Sequence, residues 1–232
     1  MNTNKTILNS FMLFLIIITI VQMSYGAVIT SCEFGIDYDD SSSVWEITTD
    51  TKCSDMEINV SSNITISLGR LTLNNVTLNF NVSPESGGNG SLGIDVKTSS
   101  SGLFIDNSRI SNIDPNYRYF WIVNNSFEIN NVNISYCGYD GGLGKYGLTT
   151  YSKNSIIKNI HITNSFFGMN ILNDDFIIIN STLENISIHA IQIGYGNYIA
   201  KNSIFENIKI NNIEQDGFTI NEYNDNITIK NL

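Results

Sequence analysis

A short phrase that recurs along the chain constrains the fold most: an apolar residue, any residue, asparagine and a second apolar residue. It occurs seven times, around Asn75, Asn112, Asn131, Asn159, Asn185, Asn207 and Asn231. From Asn112 onward these asparagines are 19, 28, 26, 22 and 24 residues apart by subtraction. A repeat length in the twenties is typical of a solenoid, in which each repeat packs only on its neighbours.

The apolar positions around each asparagine predict a corner between two strands. In segment 157–162 the isoleucines lie at −2, +1 and +3 from Asn159, so the two-residue alternation of a strand slips by one. Asparagine tolerates the left-handed backbone that tight corners need. We therefore expect the asparagines to face inward and to form a ladder of amide hydrogen bonds between coils. The predicted ladder consists of Asn112, Asn131, Asn159, Asn185, Asn207 and Asn231.

A second recurring phrase lies between these corners and predicts a further strand in each coil. A small residue precedes an apolar alternation in Gly147-Leu148, Gly168-Met169, Ala190-Ile191 and Gly217-Phe218. Each coil is therefore expected to carry three short strands. The leucine-rich repeat is the competing solenoid, but its single strand per repeat leaves the second phrase unexplained.

These repeats resemble the right-handed parallel β-helix proteins of the pectin-lyase-like superfamily, especially the Asn- and Ile-rich adhesin-like and NosD-type surface repeat proteins. The resemblance covers about residues 58–232. It implies an all-β fold, a right-handed parallel β-helix with three short strands per coil.

The chain divides into three predicted parts. Residues 1–26 have the positive, apolar and small-residue regions of a signal peptide, with an uncleaved signal anchor as the alternative. Residues 27–57 lack the repeat and are expected to form an N-terminal cap. Residues 58–232 are the coils, and we expect them to continue beyond Leu232 because segment 227–232 begins another corner without a polar cap.

Charge and composition predict a secreted or cell-surface protein. The chain has 12 basic and 22 acidic residues, and removal of the signal peptide removes only Lys5, which leaves 11 − 22 = −11. Such a charge disfavours nucleic acid and anionic membranes, so no membrane contact is expected beyond the signal segment. The expected partner is a cell-surface carbohydrate or envelope component. We expect no cofactor and no metal site.

The cysteines and sequons fit an exported protein. Cys32 and Cys53 flank the cap and are expected to form a disulfide, although three cysteines permit three pairings. Cys137 is expected to be a small stacked residue. Eight sequons are glycosylation candidates, at Asn59, Asn63, Asn81, Asn89, Asn124, Asn133, Asn180 and Asn226. Two further sequons, at Asn75 and Asn185, are excluded because they coincide with inward corners.

The sequence favours a structural or adhesive scaffold, with possible carbohydrate affinity, over an enzyme. The alternative function is that of a polysaccharide lyase or glycoside hydrolase. Asp174 and Asp175 are adjacent and would point to opposite faces of a strand, so a role in a turn is expected instead of catalysis. His161 is expected to share an outer column with Asn133, Ser187 and Lys209. Tyrosines on glycine-rich turns are candidates for stacking on sugar rings. They are Tyr139, Tyr146, Tyr151, Tyr195 and Tyr198.

Overall fold

The computed structural model describes Cys32 and residues 44–125, 127–139, 146–221 and 224–232. Within these ranges every regular element is a β-strand. The strands are β1 Trp45–Ile47, β2 Thr51–Val60, β3 Ile64–Ile66, β4 Gly69–Phe80, β5 Gly93–Val96, β6 Ser101–Asp106, β7 Arg109–Asn112, β8 Phe120–Val123, β9 Phe127–Asn130, β10 Asn133–Ser135, β11 Leu148–Thr150, β12 Ile156–Lys158, β13 His161–Ser165, β14 Met169–Ile171, β15 Ile177–Ile186, β16 His189–Ile193, β17 Ile204–Ile213, β18 Asp216–Ile220 and β19 Thr228–Lys230.

The strands form two parallel sheets between which the chain alternates. One sheet has eight strands in the order β1-β3-β5-β8-β11-β14-β16-β18. The other has 11 strands, including β2, β4, β15 and β17. Neighbouring strands in each sheet come from successive passes of the chain and pair in parallel. The predicted all-β class with parallel strands is therefore confirmed, and the arrangement is compatible with a parallel β-helix.

The second recurring phrase aligns in the eight-stranded sheet. Leu148 pairs with Met169, Met169 with Ile191, and Ile191 with Phe218. These side chains are buried or partly buried in the core between the sheets. A Cβ on Gly147 would lie 2.3 Å from the Gly168 carbonyl oxygen, and one on Gly168 would lie 2.3 Å from that of Ala190, so these small residues stack closely on the next pass.

Residues with a left-handed backbone divide the 11-stranded sheet. Strand β4 pairs with β6 before Asn75 and with β7 after it. Strand β15 likewise pairs with β12 before Asn180 and with β13 after it. Asn75 has a φ of 55° and Asn180 a φ of 53°. A single left-handed residue therefore separates two strand segments, as the slipped alternation predicts.

These left-handed residues form columns that run from strand to strand. The register places one residue of each pass in the first asparagine column. Its members are Asp55, Asn75, Asn107, Asn131, Asn159, Asn180, Asn207 and Asn231. Five residues further on, Asn164, Asn185 and Asn212 form a second asparagine column. Asn154, Asp175, Asn202 and Asn226 form a third, five residues before the first.

The seven recurring asparagines therefore do not share one column. Asn185 belongs to the second column. Asn112 aligns with Tyr136, which is in register with Asn164 of that column. Asn107 and Asn180 occupy the first column although serine replaces the apolar residue after them. The recurring phrase alone cannot assign an asparagine to a column, because apolar residues at −2 and +1 fit the corner of either column.

The expectation that the corner asparagines face inward is wrong. Asn131, Asn159, Asn185, Asn207 and Asn231 are exposed, whereas the apolar residues around Asn159, Asn185 and Asn207 at −2 and +1 are buried. The left-handed residue absorbs the slip in alternation, so its neighbours turn inward while its own side chain points outward. Asn112 alone among the predicted ladder residues is buried, and its amide bonds the backbone of Val82 at 2.8 and 3.1 Å.

The amides nevertheless bond from strand to strand on the outside of the sheet. Asn207 Nδ2 donates to Asn180 Oδ1 at 2.9 Å, and Asn231 Nδ2 donates to Asn207 Oδ1 at 2.8 Å. Asn131 donates to Asn107, and Asn159 donates to Asn130 at 3.0 Å. In the second column Asn212 donates to Asn185 at 2.6 Å. In the third column Asn226 donates to Asn202 at 2.7 Å and Asn202 donates to Asp175 at 3.2 Å. The ladder is therefore an exterior feature of all three columns.

The predicted parts of the chain are described unevenly. The predicted signal peptide at 1–26 lies outside the described residues, as does most of the predicted cap at 27–57. Strand β2 crosses residue 57 and pairs with β4 from Thr51 to Val60, in the same sheet as the later coils. Cys32 and Cys53 are joined by a disulfide, with Cα atoms 5.1 Å apart.

Candidate functional site

Four tyrosines that the sequence singles out lie in two aromatic pairs. The Tyr151 and Tyr198 rings meet edge to face with centroids 5.2 Å apart. Tyr146 and Tyr195 meet in the same manner at 6.2 Å. Tyr195 and Tyr198 are 41% and 42% exposed, so each pair presents an accessible ring. We call these four residues the tyrosine patch.

The tyrosine patch contacts buried aromatic residues through Tyr146. The Tyr146 ring stacks on Phe167 with centroids 4.4 Å apart, and Phe167 is buried. Phe167 also contacts Phe166 and the ring of His189, at 5.4 and 5.5 Å. Tyr139 lies elsewhere, against Gly90, and is not part of the aromatic pairs. The structure thus brings together four of the five candidate tyrosines.

A tight turn between Gly194 and Tyr198 positions the two exposed rings. The backbone N–H groups of Tyr195 and Tyr198 each donate to the other residue's carbonyl, at 3.1 and 3.0 Å. Gly194 and Gly196 have φ values of 71° and 57°, which glycine adopts without strain. A Cβ on Gly194 would also lie only 2.7 Å from the amide of Asn224.

Two asparagines of the next pass hold this turn. Asn224 Nδ2 donates to the carbonyl of Ile193 at 2.7 Å, and Asn224 Oδ1 accepts the Ala200 N–H at 2.7 Å. Asn221 Nδ2 donates to the carbonyl of Gly196 at 3.3 Å. The turn is therefore bonded at both ends, which fixes the exposed rings before any ligand arrives.

Polar groups lie near the Tyr151 end of the tyrosine patch. Asn173 Nδ2 donates to the Tyr151 carbonyl at 2.6 Å. Lys153 Nζ lies 3.7 Å from Asp174 Oδ2 and is more than half exposed. Burial, and secondarily Tyr198, raises the pKa of the Tyr151 hydroxyl, so this phenol stays neutral at physiological pH. A neutral aromatic surface with donors and acceptors at its edge suits sugar rings better than charged ligands.

The paired aspartates serve the turn after β14. Asp174 Oδ1 accepts the Lys201 N–H at 2.9 Å. Asp175 has a φ of 60° in the third column and accepts a hydrogen bond from Asn202 at 3.2 Å. Both carboxylates are bonded within the fold, in the turn role that the sequence favours.

The two histidines contact carboxylates of the next pass. His161 Nε2 lies 2.9 Å from Glu184 Oε1, and His189 Nδ1 lies 3.2 Å from Asp216 Oδ2. The outer column of His161 contains Asn133, Thr182 and Lys209, so the prediction of Ser187 in this column is wrong. The error follows from the placement of Asn185 in the first column, which shifts this pass by five residues.

Cys137 is a buried free thiol. Its Sγ donates to Ser165 Oγ at 3.3 Å and lies 3.7 Å from the Phe167 carbonyl. Burial raises the pKa of this thiol to about 11, which keeps it protonated and unreactive in the folded protein.

The sequons lie mostly at exposed positions. Asn59 and Asn63 are partly buried. The other six candidates are exposed: Asn81, Asn89, Asn124, Asn133, Asn180 and Asn226. Asn75 and Asn185 are exposed as well, so their exclusion as inward residues is wrong.

Buried serines after the asparagines are structural residues that the sequence patterns did not reveal. Ser181 Oγ donates to the Ile179 carbonyl at 3.0 Å and accepts the Ile160 N–H at 3.5 Å. Ser108 makes the same contacts with the Asp106 carbonyl and the Val76 N–H, at 2.7 and 3.1 Å. An Asn-Ser dipeptide that recurs at 107–108, 154–155, 180–181 and 202–203 was the available signal, but the same dipeptide is equally typical of turns.

Comparison with known proteins identified no relative of this chain. No protein-family model matches this sequence, and it has no significant match among curated proteins or solved structures. In the described part of the chain no three His, Cys, Asp or Glu side chains form a group that could hold a metal ion. A helix long and apolar enough to cross a membrane is likewise not found in those ranges.

Proposed function

We propose that this protein is a secreted or cell-surface right-handed parallel β-helix that acts as an adhesive scaffold and binds carbohydrate through the tyrosine patch. The resemblance of its repeats to pectin-lyase-like proteins supports the helix. So does the alternation of the chain between two parallel sheets, with three strand segments in each pass from β12 to β16. The competing leucine-rich repeat needs a convex side, often helical, and every regular element among the described residues is a strand.

The observation that carries the binding proposal is the pair of exposed rings on a turn bonded at both ends. Sugars bind through C–H faces that pack on aromatic rings and through hydroxyls that bond nearby polar groups. Tyr195 and Tyr198 supply the rings, Asn197 lies between them in the sequence, and Lys153, which pairs with Asp174, follows Tyr151 by two residues. The rigid sheets hold this surface in place without a conformational change.

The disulfide supports an exported protein. Cys32 and Cys53 are bonded across the predicted cap, and disulfides persist mainly in oxidising compartments. The scaffold role then follows from a stiff, parallel-stranded structure that presents polar ladders and an aromatic patch to the exterior.

The test is binding to a panel of immobilised neutral and acidic polysaccharides, with single tyrosine variants. We expect Tyr195→Ala and Tyr198→Ala each to weaken binding by roughly three- to tenfold, because an aromatic contact contributes about 0.5–1.5 kcal/mol. Phe104→Ala is the matched control, since this ring lies on the other sheet beneath Arg70. Binding that is absent from the whole panel, or unchanged in both tyrosine variants, would overturn the proposal.

The alternative of a polysaccharide lyase or hydrolase gains no specific support. A glycosidase needs an acid and a second carboxylate free to act on the substrate, whereas Asp174 and Asp175 are bonded in a turn. We expect no release of unsaturated or reducing sugars from pectin-like or neutral polysaccharides, with or without calcium. Release that Asp174→Ala abolishes would establish the enzyme instead.

A further inference from the structure

An apolar strip lies on the outer side of the 11-stranded sheet. Ile156, Ile177 and Ile204 come from β12, β15 and β17 and are in direct register. Their chain neighbours Ile157, Ile178 and Phe205 are completely buried, so the alternation of the strands turns the three isoleucines outward. Each is partly exposed. Together with Asn154, Asp175 and Asn202 they line a shallow groove of about 360 Å³.

The same column changes character along the sheet. In the earlier passes it holds Lys52, Thr72, Phe104 and Glu128, and after Ile204 it continues with Thr228. Three consecutive isoleucines on an outer face are therefore a local departure from an otherwise mostly polar column. Contiguous apolar surface of this kind marks interaction sites.

A second outward column runs beside the strip and carries opposite charges on either side of Ile179. It reads Lys158, Ile179 and Glu206, again in direct register. Lys158 and Glu206 thus lie one strand away from Ile179 in opposite directions, about 4.8 Å each. The three residues are partly exposed. The column continues with Lys230, whose Nζ lies 4.0 Å from Glu206 Oε2. Over the three strands β12, β15 and β17 the pattern is self-complementary when the order of the strands is reversed.

We propose that this strip binds a second copy of the same chain about a two-fold axis. The axis lies above the outer face and runs parallel to β15, over Ile177 and Ile179. Rotation about this axis keeps the strand direction and reverses the order of the strands. Ile177 then packs on the partner's Ile177, and Ile156 packs on the partner's Ile204. Lys158 lies opposite the partner's Glu206, and the symmetry repeats the ion pair on the other side. An isologous interface requires this kind of self-complementarity.

The charges select this axis over the other face-to-face arrangement. An axis parallel to the sheet but perpendicular to the strands, midway between the two columns, would place the isoleucine column opposite the column of Lys158 and Glu206. Charged side chains would then be desolvated against Ile156 and Ile204, which costs free energy without a compensating partner. The axis along β15 buries apolar groups together and pairs the charges.

The size of the strip sets the expected strength. Three strands of one face bury much less than the roughly 800 Å² per partner of a standard stable interface. The dimer is therefore weak, with a dissociation constant of about 10 μM to 1 mM. The chain's net charge of −10 also opposes association, so the two local ion pairs matter for specificity.

Sedimentation velocity of the purified protein over about 5 μM to 1 mM, a range set by that constant, tests the proposal. The weight-average sedimentation coefficient should rise with concentration toward that of a dimer. Ile177→Lys places like charges on the axis and should abolish association. Lys158→Glu and Glu206→Lys should each weaken association by about tenfold or more. Far-UV circular dichroism should be unchanged, because these side chains point outward.

The decisive variant exchanges both charges. Lys158→Glu combined with Glu206→Lys places opposite charges against each other again and should restore association to within about threefold of the original chain. Lys209→Glu, on the outer face beyond the first asparagine column, is the matched control and should have no effect. A chain that stays monomeric throughout the range overturns the proposal. Association that survives Ile177→Lys, or that the double exchange leaves as weak as the single variants, overturns it too.

Discussion

At the scale of single residues, asparagine serves the backbone first and the ladder second. In the three columns 15 residues other than glycine, 13 of them asparagine, have φ between 49° and 60°. Asparagine is the residue other than glycine that enters this region most readily. Because the left-handed residue points outward, its amide bonds an equivalent amide of the adjacent pass in water. Such exposed bonds contribute less than buried ones, so the backbone preference is the larger effect.

Asn180 allows these two roles to be separated. It donates to Asn159 at 3.4 Å and accepts from Asn207 at 2.9 Å. We expect Asn180→Ala to lower the free energy of unfolding by about 1–2 kcal/mol, since alanine is strained in the left-handed region. Asn180→Gly loses the same amide bonds without that strain and should cost less. Urea denaturation measures both.

Asn133→Ala is the control for Asn180, because Asn133 is exposed in β10 and has no left-handed backbone. Its cost should stay below about 0.5 kcal/mol. If Asn180→Gly proved more destabilising than Asn180→Ala, the amide bonds and not the backbone would be the main contribution.

At the scale of elements, close contact between passes fixes where small residues must stand. Gly147 and Gly168, which precede β11 and β14, each stack on the backbone of the next pass. A Cβ on Gly168 would lie 2.3 Å from the carbonyl oxygen of Ala190, and backbone cannot move aside cheaply. A Cβ on Gly102 in β6 would instead meet the Arg70 side chain at 3.6 Å, an ordinary contact.

These two glycines form a matched pair for mutation. We expect Gly168→Ala to lower the free energy of unfolding by about 2 kcal/mol or more, because β14 must shift away from its neighbour. Gly102→Ala should change it by less than about 1 kcal/mol, in either direction, since both φ and space permit alanine. Thermal or urea unfolding compares them. Equal costs would show that the passes adjust more freely than the contacts indicate.

At the scale of the whole molecule, the core is continuous across the passes. Buried side chains from Trp45 to Ile208 form one cluster between the two sheets. Cys137 is completely buried within it. Because each pass packs on its neighbours, exposure of this thiol reports the opening of several passes together.

Thiol labelling therefore measures that opening. At pH 8 the folded protein should react with a thiol reagent far more slowly than the unfolded chain, because burial raises the pKa of Cys137 to about 11. At a pH well below the ordinary thiol pKa, Cys137 is protonated in both the folded and the unfolded state. Above that pKa, only the unfolded state loses the thiol proton until the pH approaches the folded-state pKa. Stability should thus fall from about pH 9 to about pH 11, and less steeply in Cys137→Ala. Labelling as fast in the native protein as in urea would contradict this placement.

The sequence by itself determined the all-β class, the parallel strands and the existence of corners at asparagine. These follow from alternation and backbone preference, which are properties of a few neighbouring residues. The structural role of Cys137 and the turn at Asp174-Asp175 could be predicted from the sequence for the same reason. The tyrosines were identified as candidates, but not their pairing.

Only the tertiary structure decided which asparagines stack on one another and which way they face. Asn180 and Asn185 both follow an apolar residue by two positions and both have a left-handed backbone, and the register of β15 against β13 and β17 assigns them to different columns. The Tyr151–Tyr198 pair, the buried serine bonds and the outward isoleucines depend on the same register. Register arises from contacts between residues more than 20 positions apart, and no local pattern contains that information.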